Sequence, residues 1–195
     1  MEYIIYNIDA LTDTEYEKWF SLMTEEKQKK VNNYKSIDRK RASAAGEKLV
    51  KEHIGKALNI KLESLVIHTD KNGKPYIKEC PIHFNISHCE NTLLCAFSDI
   101  EIGADIEKIK PISISVLKSF FSEEEQKYVL GKALSDCISE DYNTPEMCER
   151  FYRIYTLKEA LCKKSGIGIK GLRDADALPL LDKSFKEKDF IISII

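Results

Sequence analysis

The sequence lacks the signatures of several common functional classes. It has no Walker loop and no G-x-G-x-x-G motif, which argues against the usual nucleoside triphosphate and dinucleotide sites. No G-x-S-x-G elbow surrounds Ser87, so the neighbouring Ser87 and His88 do not indicate a hydrolase. No apolar run is long enough to cross a bilayer, and the N-terminal segment has no basic region typical of a signal peptide. We therefore expect a cytoplasmic protein that has no membrane partner.

The cysteines lack the spacing of a metal site. None of the six forms a C-x-x-C pair, and without a secretory signal reduced thiols are expected. What the chain does have is a hydrophobic fraction of 43% over 195 residues. That composition favours a folded globular protein with one sizeable domain, or two small ones that share a core.

Charge is distributed unevenly along the chain, although the formal net charge is only −2. The segment from Lys27 to Arg41 has seven basic residues and one acid, Asp38. A local basic segment on a nearly neutral chain indicates an anionic partner at one place and no general binding to nucleic acid. For any single lysine in this segment, a solvated helix face remains the more common explanation.

The hydrophobic periodicity predicts strands mixed with helices. The Asn72-Gly73 pair predicts a tight hairpin turn, Ser122 a helix N-cap, Gly55 the end of the second helix and Gly166 the end of the last. In chain order the prediction is a strand 2–9, helices 13–31 and 37–57, strands 65–69, 82–89, 91–98 and 101–109, helical sequence over 113–130, a connection 135–149, a helix 150–166 and strand-like pieces in the tail, "LPLL" and "FIISII".

Two acids stand two residues apart in "GADIE". On a strand, Asp105 and Glu107 project to the same side while Ile106 faces the other. Like charges at that spacing repel unless a cation lies between them, and Mg²⁺ prefers such oxygen ligands. For this pair alone, two acids in water at a strand end is the favoured explanation.

The helix 150–166 adds ionisable groups. Lys158 falls within its apolar face, where a charged head needs a partner or must reach the surface. Glu159 flanks that face, and Lys163 follows it by four residues, a spacing that is common in surface ion pairs. Ser87 and His88, at a strand end, carry groups that can donate hydrogen bonds to phosphate oxygens.

Taken together, "NGKPYI" (72–77), "HFNISH" (83–88), "GADIEKIKP" (103–111), "FFSEEE" (120–125) and "YTLKEALCKKSGIGI" (155–169) resemble the Sfp-type 4′-phosphopantetheinyl transferase family. The resemblance runs from the N-terminal strand to about Ile169. It implies an enzyme that moves the phosphopantetheine arm of coenzyme A to a serine of an apo acyl or peptidyl carrier protein. The by-product would be adenosine 3′,5′-bisphosphate.

The resemblance also implies roles for individual residues. Mg²⁺, with Mn²⁺ as a substitute, would be held by Asp105, Glu107 and Glu159. Lys163 would help the leaving group, and Glu159, or a metal-bound water it orients, would be the base. Glu125 is a weaker second candidate for the base, and Lys158 is a secondary site residue. Coenzyme A would be bound by Lys27, Lys30, Arg41, Lys74, Ser87, His88, Asp105 and Lys163.

The implied fold is α+β, with two similar, pseudo-twofold-related subdomains that each pack an antiparallel sheet on a long helix. We expect an N-terminal subdomain 1–101 for the coenzyme, a C-terminal subdomain 102–195 for the metal, an active site between them, and a monomer. The family commonly has Trp where Tyr155 stands. The tail diverges from the family pattern, so we expect its final strands to be missing, rearranged or shortened.

Two other functions remain open from the residues. One is a different magnesium-dependent phosphodiester-cleaving enzyme, such as a nuclease, that uses the same three acids. The other is a coenzyme A-binding module without catalysis. The carrier pathway, whether for fatty acids, polyketides or nonribosomal peptides, is not readable from the chain.

Overall fold

The structure is a computed structural model that describes residues 1–136 and 143–195. The chain divides into two compact units, residues 1–102 and 103–195. The boundary predicted from the sequence, between residues 101 and 102, lies one residue before this division. The α+β class with antiparallel sheets is confirmed, while the pseudo-twofold relation stays a prediction.

The first unit contains a three-stranded antiparallel sheet in the order β1-β5-β4, a separate hairpin of β2 and β3, and three helices. Its elements are β1 (Glu2–Asn7), α1 (Asp13–Ser21), α2 (Glu25–Asn32), α3 (Ile37–Leu58), β2 (Ile67–Thr69), β3 (Pro75–Ile77), β4 (His83–Cys89) and β5 (Thr92–Ser98). Buried Trp19, Val50, Ile54, Leu93 and Phe97 belong to its core.

The helix predicted over 13–31 is in fact two helices. The hydroxyl of Thr24 accepts a hydrogen bond from the backbone N–H of Lys27 at 3.2 Å, which starts a second helix. The helix α3 ends at Leu58, one residue beyond the predicted range 37–57, and its cap is Asn59 in the left-handed conformation (φ 53°) and not Gly55. Gly55 is needed for packing instead, because a Cβ atom there would lie 2.8 Å from Leu62 Cδ2.

The second unit contains a three-stranded antiparallel sheet in the order β6-β8-β7 and, within its described residues, three α-helices. Its elements are β6 (Ala104–Lys108), α4 (Ile114–Phe120), α5 (Glu123–Leu130), α6 (Pro145–Ser165), β7 (Ser184–Glu187) and β8 (Phe190–Ile194). The strand β8 pairs with β6, so the tail supplies the centre of this sheet. The predicted strand at "LPLL" is wrong, since Leu178–Lys183 forms a 3-10 helix.

The long helix α6 begins earlier than predicted. Thr144 caps it by accepting a hydrogen bond from the Met147 N–H at 3.2 Å, and Pro145 occupies the first turn, where its missing N–H costs nothing. The connection predicted over 135–149 is therefore shorter at its C-terminal end, and its residues 137–142 lie outside the described residues. Residues 113–130, predicted as helical, form α4 and α5, which Ser122 separates as an N-cap.

Gly103 lets β6 approach α6. A Cβ atom on Gly103 would clash with the carbonyl oxygen of Ala160 and lie 2.7 Å from the Lys164 nitrogen. On the same side of the sheet, the hydroxyls of Thr156 and Ser193 are 2.7 Å apart. Because Ser193 is the register partner of Asp105 on β6, the acids of β6 face α6.

Candidate active site

Asp105 lies at the contact between β6 and α6. Its side chain is 4% exposed, and its Oδ1 accepts a hydrogen bond from Lys163 Nζ at 2.6 Å. Glu107, two residues along the strand, is partly buried. The sequence predicted that these two acids project from the same side of the strand. In the register, Asp105 lies opposite Ser193 of β8 and Glu107 lies opposite Ile191, so both acids are on the face of the sheet toward α6.

Glu159 and Tyr155 add polar groups from α6. The Tyr155 hydroxyl donates a hydrogen bond to Glu159 Oε1 at 3.3 Å. Burial raises the pKa of the Glu159 carboxyl, and the charge of Asp105 raises it further, against the opposing effects of Lys163 and Tyr155. A carboxyl whose pKa is raised toward neutrality is suited to accept a proton at neutral pH.

The charges of all three acids act on Tyr155. Burial raises the pKa of Tyr155 above its ordinary value, and the charges of Glu159, Glu107 and Asp105 each add to that effect. Three carboxylates thus act on one phenol. We use the name acidic face of α6 for the group at which α6 meets the acids of β6, which consists of Asp105, Glu107, Tyr155, Glu159 and Lys163. Where the family commonly has Trp, this chain places a hydroxyl inside that face.

The acidic face fits a hard cation by its chemistry, because its donors are carboxylate oxygens. As placed, however, the described residues form no group of three or more His, Cys, Asp or Glu side chains that could hold a metal ion. The Lys163 ammonium is bound to Asp105 instead. Coordination by all three acids therefore needs their side chains to turn.

Glu125 has a different role from the predicted second base. It is 1% exposed, and Ser122 N at 2.8 Å, Ala177 N at 3.2 Å and Lys158 Nζ at 2.8 Å all donate to its oxygens. Lys158 also donates to Ala175 O. The charged head that looked out of place on the apolar face of α6 thus has a buried partner. Glu125 and Lys158 hold the 175–177 segment onto α6 through these bonds.

A cavity of about 430 Å³ lies in the first unit. Its walls come mainly from α2, α3, the β2–β3 hairpin and β4. They carry five side chains that can be cationic and one acid, Glu26; the five are Lys27, Lys30, Arg39, His68 and His88. Drug-sized and cofactor-sized ligands occupy cavities of this size. Three of the predicted coenzyme-binding residues, Lys27, Lys30 and His88, are therefore brought together.

Three other predicted residues lie elsewhere. Arg41 does not line the cavity, because its guanidinium donates to Asp13 Oδ1 at 2.8 Å and to Leu11 O. Lys74 is paired with Glu101 and lowers the pKa of that carboxyl. This pair lines a smaller cavity of about 290 Å³. Ser87 is 5% exposed and does not line the larger cavity, as expected for the neighbour of His88 on a strand.

Arg39 and Ser43 also line the cavity, although neither was predicted as a site residue from the sequence. The signal was present, since positions 39 and 43 lie four residues apart on one face of α3, whereas position 41 lies about 200° around the helix from 39. Tyr34 also lines the cavity, and the Arg39 guanidinium lies 5.5 Å from its ring centroid, in the range of a cation–π contact.

Comparison with known proteins adds independent evidence. Residues 101–191 match the family model described as the 4′-phosphopantetheinyl transferase superfamily, and residues 11–99 match the one described as 4′-phosphopantetheinyl transferase, N-terminal. The 4′-phosphopantetheinyl transferase Sfp of Bacillus subtilis (strain 168) is 33% identical over 168 residues, which cover 86% of this chain and 70% of that protein.

Two further relatives carry the same description. The 4′-phosphopantetheinyl transferase gsp of Aneurinibacillus migulanus is 32% identical over 149 residues, covering 76% of this chain and 58% of that protein. A 4′-phosphopantetheinyl transferase of Bacillus subtilis is 28% identical over 188 residues, covering 96% of this chain and 76% of that protein. This chain therefore spans between 58% and 76% of the lengths of these three relatives.

The fold, the acidic face and the family matches together define a transferase. The chain belongs to the Sfp-type 4′-phosphopantetheinyl transferases. The resemblance inferred from the motifs and the prediction of an enzyme are both confirmed. Within residues 1–136 and 143–195, no helix is both long enough and apolar enough to span a membrane.

Proposed function

We propose that the protein transfers the 4′-phosphopantetheine group of coenzyme A to a serine of an apo acyl or peptidyl carrier protein and releases adenosine 3′,5′-bisphosphate. Family membership supports the transfer to carrier proteins. The acidic face of α6 is the observation that supports this chemistry, because it combines carboxylate oxygens, which suit a hard cation, with the Lys163 ammonium at 2.6 Å from Asp105 Oδ1. The family match also favours this reaction over a nuclease or a non-catalytic module.

The cavity of the first unit is the proposed site for phosphate groups of coenzyme A. Lys27, Lys30 and Arg39 are cationic, and Arg39 can bind a phosphate oxygen pair in bidentate fashion. His88 adds ring nitrogens that can donate hydrogen bonds. Lys74 and Ser87 remain proposed coenzyme contacts from the family resemblance alone, and Arg41 is not proposed further because of its bonds to Asp13 and Leu11.

Each residue of the acidic face then has a defined task. Glu159, or a water that it orients, accepts the proton of the attacking serine hydroxyl. Tyr155 keeps the Glu159 carboxylate oriented through its hydrogen bond. Lys163 leaves Asp105 and donates to the leaving phosphate, where negative charge develops as the phosphoanhydride breaks.

Asp105, Glu107 and Glu159 would hold Mg²⁺ or Mn²⁺ in this proposal. The ion would supply positive charge at the pyrophosphate, beyond what Lys163 provides. Its binding can be measured without turnover, by titrating Mn²⁺ into the protein and following its electron paramagnetic resonance signal. We expect Asp105→Asn to weaken Mn²⁺ binding. Binding that is equal in the variant and the wild type would remove Asp105 from the metal site.

The test of the reaction uses an apo carrier protein, coenzyme A and Mg²⁺, with the carrier followed by mass spectrometry. We expect the mass of one phosphopantetheine to be added to the carrier, and no addition when the acceptor serine is replaced by alanine. Coenzyme A binding without mass gain on several carriers would instead support the binding module. Cleavage of nucleic acid would support the nuclease.

A further inference from the structure

A buried carboxylate connects two lysines beneath the cavity of the first unit. Glu47 on α3 is 1% exposed. Its Oε2 accepts from Lys27 Nζ at 2.7 Å, and its Oε1 lies 2.9 Å from Lys51 Nζ. Lys51 is equally buried and also donates to Leu22 O at 2.7 Å. A buried carboxylate is stable only when it is paired and hydrogen-bonded, and here two ammonium groups share one.

Only one member of this cluster reaches the cavity. Lys27 lines its wall and its side chain is 22% exposed, whereas Glu47 and Lys51 do not line it. The cluster of two lysines and one acid therefore has a formal charge of +1. Glu47 does not cancel the attraction of the cluster for an anion, because Lys51 already balances it.

We infer that Glu47, itself held by Lys51, is a positioning residue that fixes the Lys27 ammonium at the cavity wall for a phosphate group. The inference rests on the proposed function, since it takes the cavity as a phosphate-binding site. A free lysine side chain must be ordered when it binds its ligand, and prior ordering removes that cost. Loss of the anchor should weaken phosphate binding about 2- to 10-fold, the range expected for one immobilised side chain.

The charge-neutral double variant Glu47→Gln/Lys51→Met tests this inference. It removes one charge of each sign, so the net charge of the cluster is unchanged, while the carboxylate that anchors Lys27 becomes a neutral and weaker acceptor. Replacing both members of a buried pair is also tolerated far better than removing one. The probe is adenosine 3′,5′-bisphosphate, titrated calorimetrically into the full chain, with circular dichroism to verify that each variant is folded at the assay temperature.

The matched control is Glu15→Gln/Lys48→Met. It removes an ion pair of 2.5 Å that joins α1 to α3, much as the Lys27–Glu47 pair joins α2 to α3. Neither Glu15 nor Lys48 lines the cavity. Gln can still serve in the capping box that Glu15 forms with Thr12. We expect this control to bind the bisphosphate like the wild type. A control that weakens binding as much as the test variant would show a general effect of stability and overturn the inference.

A double-mutant cycle separates positioning from a purely structural role. Lys27→Met should weaken binding by itself, and the Glu47→Gln/Lys51→Met change should then have no further effect in that background. An equal loss in both backgrounds, or wild-type affinity in the double variant, overturns the inference. If the wild-type chain does not bind the bisphosphate, the inference fails together with the cavity assignment, while the carrier assay still decides the proposed reaction.

Discussion

Replacing Lys158 by Met should destabilise the second unit strongly. The Lys158 and Glu125 side chains are each 1% exposed, and the lysine Nζ lies 2.8 Å from Glu125 Oε2. Removing one partner of such a pair leaves an uncompensated buried charge and costs about 3–5 kcal/mol. Loss of the Lys158 bond to Ala175 O adds a further unpaired acceptor. A loss of this size is a large fraction of the 5–15 kcal/mol that stabilises a typical domain.

The assay is urea unfolding followed by far-UV circular dichroism, together with amide hydrogen exchange of residues 170–180. Protection of the Ala177 amide should fall in Lys158→Met, because this N–H donates to the Glu125 carboxylate at 3.2 Å. The variant Lys158→Met/Glu125→Gln should recover part of the stability, since it removes both charges. A cost of less than about 1 kcal/mol for Lys158→Met, the size of an exposed ion pair, would refute the reasoning.

Three further predictions concern the two units. Glu159→Gln should abolish transfer yet raise the melting temperature at pH 7. The pKa of the Glu159 carboxyl is raised in the folded state. The stability that this carboxyl contributes is therefore present below its ordinary pKa of 4.5 and is lost as the pH rises through its pKa in the folded state. Calorimetry at pH 7 and pH 4 tests this, and a variant less stable than the wild type at pH 7 would contradict it. Lys74→Ala should raise the KM for coenzyme A with little change in kcat, and an unchanged KM in steady-state assays would remove Lys74 from the coenzyme site. Gly103→Ala should cost about 1–3 kcal/mol in urea unfolding, because its Cβ would push β6 off α6. Gly46→Ala is the milder control, since its Cβ would meet the flexible side chain of Ile86, at 3.3 Å from Cδ1. Equal stability of the two variants would argue against the clash.

The parts of the fold that local chemistry determines were predictable. Strand alternation placed β4, and Ser122 was recognisable as an N-cap. The division of residues 13–31 into two helices depended on the Thr24 cap, which lies within sequence that otherwise reads as continuous helix. The 3-10 helix at Leu178–Lys183 was missed because a short apolar run does not by itself distinguish a strand from a helical turn.

The candidate site was predictable where one element carries the residues. Asp105 and Glu107 lie two residues apart on a strand, and Glu159 and Lys163 lie four residues apart on a helix. The side-chain repeat of each element therefore predicts that the two members of each pair are neighbours. The partner of Lys158 required knowing how α5 packs on α6, and the anchor of Lys27 required knowing how α2 packs on α3. Arg41 was assigned to the coenzyme from an uncertain register, and only the helix rotation shows that Arg39 occupies that wall.

The carrier assay on matched variants tests the central claim most directly. Wild-type protein, Glu159→Gln and Lys164→Gln would each be incubated with coenzyme A, Mg²⁺ and apo carrier, and the carrier mass followed over time. Lys164 lies on α6 next to Lys163 but outside the acidic face, so it controls for loss of a nearby charge. We expect phosphopantetheine on the carrier with the wild type and Lys164→Gln, and none with Glu159→Gln. Equal modification by all three proteins would contradict the assignment of the acidic face as the site of transfer.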